Sequence, residues 1–245
     1  MNLREEKRIE IHFAKDKKRY QSTNDFVENA VRIGTEKKRI IFYEIHAMDT
    51  PSYWNLRNKL QRWRSTAKAR NVPVFFFTVL RESLSYAVSH FNFFHVQEKN
   101  PSFPKANATE QNLIEYSLYN PQCQFLYKGE RSMRAQKKDT QGIIKVNPEI
   151  CDNVYESFFE TLDWVGTTER LSNETIPLLT KLLNLSDSFV WSRRMETTKI
   201  TNVTTINRTA LSAPTMEAIH DLSELDTKMY GSALVDFPFE MWDLS

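Results

Sequence analysis

In the stretch FTVLRESLSYAVSHFNFF, residues 77–94, an arginine stands where an apolar run gives way to a helical pattern, and a serine follows eight positions later. Arg81 carries a planar guanidinium fork suited to a phosphate, and a helix start offers N–H groups that no turn of the helix uses, together with the positive end of its dipole. Ser89 lies about two turns further on and adds a hydroxyl to the same wall. Together they form an anion site. The same two residues also fit an arginine paired with a neighbouring carboxylate and a serine that only packs; spacing alone does not separate these readings.

The elements that would position such a site follow an α/β order. Residues 8–13 (RIEIHF) read as a short strand, and Ser22 to Asp25 supply capping chemistry for a helix carrying Phe26, Val27, Ala30 and Val31 that ends at Gly34. Residues 39–46 (RIIFYEIH) form an apolar β-rich run. The next helix shows Tyr53, Leu56, Leu60, Trp63 and Ala67 at three- and four-residue steps. Residues 72–80 (VPVFFFTVL) are apolar almost throughout, which suits a parallel strand covered on both faces. A helix over about 82–96 follows directly.

This alternation predicts an α/β fold with a parallel sheet flanked by helices, in which ligands gather at the carboxyl ends of the strands, here near His46 and Arg81. Residues 101–148 are polar and Pro-containing, with one helix near 109–119, and read as an irregular insertion over the site, at about 100–150. Regular structure returns over 153–185 as a helix, a short strand at DWVGT and a helix through Ile176, Leu178, Leu179 and Leu182. After a Thr/Asn-rich loop, TTKITNVTTINRT, the last helical region runs over about 214–235. There are no internal repeats, and residues 1–245 read as one domain.

Composition narrows the function classes. A chain of 245 residues that is 40% hydrophobic can bury a core, and its net charge of +2 lacks the basic excess of a nucleic-acid-binding surface. Short cationic runs at 15–19 and 131–138 read as solvated faces. No stretch approaches the roughly 18 to 20 apolar residues of a membrane span, and MNLREEKRIEI has no signal-peptide core. Five Asn-x-Ser/Thr sequons, at Asn107, Asn173, Asn184, Asn202 and Asn207, point instead to a lumenal protein. The two cysteines, Cys123 and Cys151, would close a loop worth about 3 kcal/mol if bridged, and are otherwise two thiols. The five histidines show no metal-ligand spacing; His90 and His95 would fall on different faces of an α-helix.

Four blocks, in order, resemble the carbohydrate sulfotransferases of the secretory pathway. The Arg81-to-Ser89 stretch resembles the motif that holds the 3′-phosphate of 3′-phosphoadenosine-5′-phosphosulfate. FYEIHAMD resembles the strand end that carries catalytic histidines in the heparan sulfate 2-O-sulfotransferase type. LDWVGTTERLSNETIPLLTKLL resembles the family's later strand and helix, and LSELDTKMYGSALVDF its closing helix. The blocks cover roughly residues 39–98 and 157–236. At two points the chain departs from the pattern. Ser83 stands where the family has proline, and still suits a helix start as a cap. The family's phosphosulfate loop has no counterpart, because KDKKRYQST at 15–23 has no glycine to let backbone wrap a phosphate. That loop would fall near or before Met1, so the chain reads as N-terminally truncated.

The resemblance implies a P-loop-NTPase-like sulfotransferase fold and sulfuryl transfer from 3′-phosphoadenosine-5′-phosphosulfate, without a metal, to a carbohydrate or other hydroxyl acceptor. It assigns donor binding to Arg81 and Ser89, with Arg208 as a further phosphate contact. His46 becomes the base, and Glu44, two residues earlier on the same strand face, either serves as the base or orients the imidazole. It places the protein in the Golgi lumen or secretory pathway, with membrane attachment only through an N-terminal anchor. A catalytically inactive lumenal binding protein of the same fold is the alternative; a P-loop kinase would need a glycine loop that the chain lacks, and many glycosyltransferases an Asp-x-Asp metal site.

Overall fold

A computed structural model describes residues 9–13, 32, 40–44, 52–97, 103–128, 147–184 and 204–238. Strands β1 (Ile9–Phe13) and β2 (Ile40–Glu44) pair in parallel, from Ile9 opposite Ile40 to Phe13 opposite Glu44. Strands β3 (Phe77–Leu80) and β4 (Trp164–Thr167) form a second parallel pair, Phe77 opposite Trp164 and Leu80 opposite Thr167. The α/β character with parallel pairing is as the sequence predicts, although among the described residues the strands form two pairs rather than one sheet.

Helix α1 (Tyr53–Ala69) starts on Ser52, whose hydroxyl accepts from the Asn55 N–H at 3.4 Å. It buries Leu56, Leu60, Trp63 and Ala67, the stripe that the sequence period marks. Strand β3 is shorter than its apolar run, because its partner β4 has only four residues between the end of a helix at Thr161 and the turn after Thr167. A ladder is no longer than its shorter strand. Asp163 sets where the pair begins: its carboxylate accepts from the Phe76 N–H at 2.7 Å and is gripped by both terminal nitrogens of Arg64, at 2.7 and 3.1 Å. The burial also differs from expectation. In β3 only Leu80 is fully buried, whereas all four residues of β4 are.

Helix α2 (Ser83–Phe91) passes into a π-helical turn, Asn92–Gln97. With about five residues between bonded groups, that turn brings positions five apart onto one face, so His90 and His95 lie with ring centroids 6.0 Å apart instead of on opposite sides. Both belong to an aromatic cluster with Phe94 and Phe103, and the His95 ring is fully buried with Nδ1 2.9 Å from the Pro104 carbonyl.

Residues 103–128, expected to hold one helix near 109–119, hold two: α3 (Glu110–Tyr116) and α4 (Pro121–Lys128). Both are packed into the body, since Leu113 and Cys123 are fully buried. Helix α5 (Pro148–Thr161) carries its own start signals, Asn147 as cap and Pro148 in the first turn. It packs on α1 through Tyr53, whose hydroxyl lies 2.9 Å from Ser157 Oγ and 2.6 Å from Thr161 Oγ1. Beyond β4 a π-helical turn, Leu171–Thr175, leads into α6 (Ile176–Leu182), and the final region divides into α7 (Ala213–Leu222) and α8 (Glu224–Asp236). The main core gathers Leu80, Cys123, Val154, Phe158, Trp164, Val165, Leu178 and Met229 around β4.

At Gly166 β4 packs tightly against the following π-helical turn. A Cβ there would run into Thr175 Oγ1 and stand 2.8 Å from Trp164 Nε1, two atoms that are bonded to each other at 3.3 Å. Gly166→Ala is therefore expected to cost about 2 kcal/mol by overpacking. Urea unfolding checks this, and an unchanged midpoint would mean that the two elements separate without penalty.

Candidate active site at the strand ends

The carboxyl ends of β3 and β4 are joined where the Thr168 N–H donates to the Leu80 carbonyl at 2.8 Å. From this edge Arg81 and Glu82 lead into α2, and Thr168 and Glu169 leave β4. Helix α8 borders the same edge: Tyr230 donates to Glu169 Oε2 at 3.1 Å, and Thr227 Oγ1 lies 3.0 Å from Ser83 Oγ. Burial, and then the Glu169 carboxylate, raise the Tyr230 hydroxyl above its ordinary pKa.

Arg81 is half-buried at the end of the strand. Its Nε donates to Ser85 Oγ at 3.3 Å, and among the described residues its guanidinium pairs with no carboxylate. Ser89 lies four residues beyond Ser85 on the same face of α2, half-buried and with no side-chain hydrogen bond among the described residues. Arg81, Ser85 and Ser89 thus form a row at steps of four. Ser85 was the member missed from sequence, although its four-residue spacing between the other two was its signal.

The start of α2 differs from expectation. The cap is Glu82, not Ser83: its carboxylate accepts from the Leu84 N–H at 3.0 Å and the Ser85 N–H at 2.8 Å. Ser83 is buried in the first turn instead, with its hydroxyl turned to Thr227. Two of the N–H groups expected to meet an anion, those of Leu84 and Ser85, are therefore already occupied, and the side-chain row is the part of the expected site that stays open. Arg208 does reach this place. It sits in the short 3₁₀ turn Arg208–Ala210, and its Nη1 lies 3.0 Å from Glu82 Oε2. Both partners are too exposed for the pair to add much stability.

Residues with no local signal hold Arg81. The side chain of Gln122, in the first turn of α4, accepts from the Arg81 N–H at 2.8 Å and donates to the Arg81 carbonyl at 2.7 Å. The backbone of Gln122 is fixed in turn by Asp226 of α8, whose carboxylate accepts from the Gln122 and Cys123 N–H groups, both at 2.8 Å. Asn120 completes a reciprocal arrangement: its Oδ1 accepts from the Leu225 and Asp226 N–H groups, at 2.9 and 3.1 Å. Each helix start is capped by a side chain from the other.

A cleft of about 340 Å³ opens between the first turn of α2 and α7, with Glu82, Met216, Glu217 and His220 on its walls. Arg81 and Ser89 do not line it. Glu44 ends β2, where its backbone pairs with Phe13, and His46 lies outside the described residues, as does the cationic run at 131–138. Compared with known protein families, with curated proteins and with solved structures, the chain matches none.

Proposed function

We propose that the chain is a sulfotransferase of the P-loop-NTPase-like fold that binds 3′-phosphoadenosine-5′-phosphosulfate through Arg81 and Ser89 and sulfates a carbohydrate hydroxyl. One observation carries the reading: a guanidinium without a carboxylate partner among the described residues stands at the carboxyl end of a parallel strand, followed along one helix face by Ser85 and Ser89. In the transfer, the acceptor oxygen attacks sulfur as the bond from sulfur to the phosphate oxygen breaks. The acceptor proton passes to His46 or Glu44, and 3′-phosphoadenosine-5′-phosphate leaves. Arg81, Ser89 and Arg208 hold the donor and take no proton.

Two features support a lumenal setting. Cys123 and Cys151 form a disulfide, the state favoured in oxidising compartments, and the sequon residues Asn107, Asn173, Asn184 and Asn207 are all exposed. A second reading, an inactive lumenal binding protein of the same fold, is favoured by the Glu82 carboxylate that takes the Leu84 and Ser85 N–H groups at the helix start.

Calorimetric titration with 3′-phosphoadenosine-5′-phosphate separates the two. Loss of a charge-assisted contact predicts that Arg81→Ala weakens binding roughly 10- to 100-fold and Ser89→Ala several-fold less. Equal binding by wild type and Arg81→Ala removes the donor site from this place. In a sulfate-transfer screen over glycans, His46→Ala should lower turnover far more than donor affinity; retained turnover would leave Glu44 as the base.

A further inference from the structure

We infer that Gln122 is a positioning residue for the Arg81 anion site; this rests on the donor-site reading above. Strand β4 supplies its last backbone bond to β3 where Thr168 meets the Leu80 carbonyl, one residue short of Arg81. At Arg81 the carboxamide of Gln122 takes over, receiving the N–H at 2.8 Å and giving an N–H to the carbonyl at 2.7 Å, as a neighbouring strand would. Gln122 is only 7% exposed, so water is a poor substitute for either bond.

The anchor behind Gln122 is unusually firm. Its backbone is held by the buried Asp226 carboxylate, and the next residue is bonded covalently to Cys151 of α5. The base of the Arg81 side chain is thereby tied to α4, α5 and α8 at once, while the guanidinium itself is directed by Ser85. An arginine whose backbone is fixed before the anion arrives loses less freedom on binding it, which strengthens binding without adding a contact to the ligand. Gln122 touches no ligand in this arrangement.

The test uses the whole chain. Gln122→Met keeps the length and volume of the side chain and removes both bonds to Arg81. Amide hydrogen exchange should rise at Arg81 by roughly 10-fold or more relative to Thr78, which shares with Phe76 and Leu80 the side of β3 that faces β4, and affinity for 3′-phosphoadenosine-5′-phosphate should fall roughly 10-fold. In an Arg81→Ala background the same substitution should cost almost nothing further, a non-additivity that a general loss of stability would not produce. If Gln122→Met does not fold, Gln122→Asn serves, because it stays neutral and polar while its carboxamide, one methylene shorter, cannot hold both Arg81 backbone groups. Unchanged affinity with faster exchange at Arg81, or additive losses in the double variant, overturns the inference. If the wild-type chain binds no nucleotide, it is the donor-site reading that fails; positioning of Arg81 is then decided by exchange alone, and unchanged protection in Gln122→Met overturns it.

Discussion

Asp226→Asn is expected to remove a fall in stability, on the order of 4 kcal/mol, that the wild-type chain shows as pH rises from about 4 to above 7. Asp226 is fully buried; burial pushes its carboxyl up to about 7, and the two N–H groups it accepts from only partly offset this. In the unfolded chain the same carboxyl ionises near its ordinary value of 3.8. Between these values the folded protein holds a proton that the unfolded chain has released, so each pH unit favours unfolding by about 1.4 kcal/mol. The contribution is complete below the lower value and gone above the upper one. Glu110 works in the opposite sense. Hydrogen bonds from Ser212 and Thr215 hold its carboxyl below the usual range, so its contribution is lost on the acid side. Comparing wild type with Asp226→Asn cancels that term and every other shared one. Asparagine has one acceptor oxygen where the carboxylate uses two, so the variant starts from a lower stability with one of the two N–H groups unmet. Urea unfolding of both chains at several pH values should then show wild type losing stability relative to the variant by on the order of 4 kcal/mol between about pH 4 and pH 8. Parallel curves would mean that the carboxylate stays ionised throughout, held by the helix start it caps.

What the sequence could not show is this kind of pairing. Helix α1 was legible because Leu56, Leu60, Trp63 and Ala67 repeat at the helical period, and β4 because DWVGT is a short apolar run between helical patterns. Arg81 was legible as a strand-to-helix junction. By contrast, Asp226 in LSELD reads as an ordinary acidic residue in the first turn of an exposed helix, which its own α8 would welcome. Its real partners lie over a hundred residues earlier, at Gln122 and Cys123. A buried polar group is specified by where the chain brings its partner, and no local period records that. The same holds for Glu82: RESLS offers two capping candidates, serine and glutamate, and Arg208 and Thr227, both far along the chain, meet Glu82 and Ser83 respectively. The start of α2 was legible, but the identity of its cap was not. The two-helix content of residues 103–128 was hidden for a related reason, since α3 and α4 have seven and eight residues, too short for a clear stripe.

Opening the Cys123–Cys151 bridge is expected to lower stability by about 3 to 4 kcal/mol, the loop-closure value for a separation of 28 residues. Both cysteines are buried in the main core, at 0% and 3% exposure, so the bridge joins α4 to α5 inside packed surroundings rather than stapling a loose rim. Replacing both cysteines by alanine keeps the small apolar volume and tests the covalent link with little cavity cost. The urea midpoint of this double variant should match that of the wild-type chain held under reductant, and both should fall below the oxidised protein. The loss should also reach the site. Cys123 follows Gln122 in the chain and shares the Asp226 carboxylate with it, so freeing Cys123 loosens the turn from which Gln122 holds Arg81. Amide exchange at Arg81 should therefore quicken on reduction before the protein unfolds globally, while exchange at Leu60 of α1, in a separate cluster of buried residues, should follow only global unfolding. Two reactive thiols in the denatured protein without reductant would show that the bridge does not form. Equal acceleration at Arg81 and Leu60 would show that it supports the whole fold and not this corner of it.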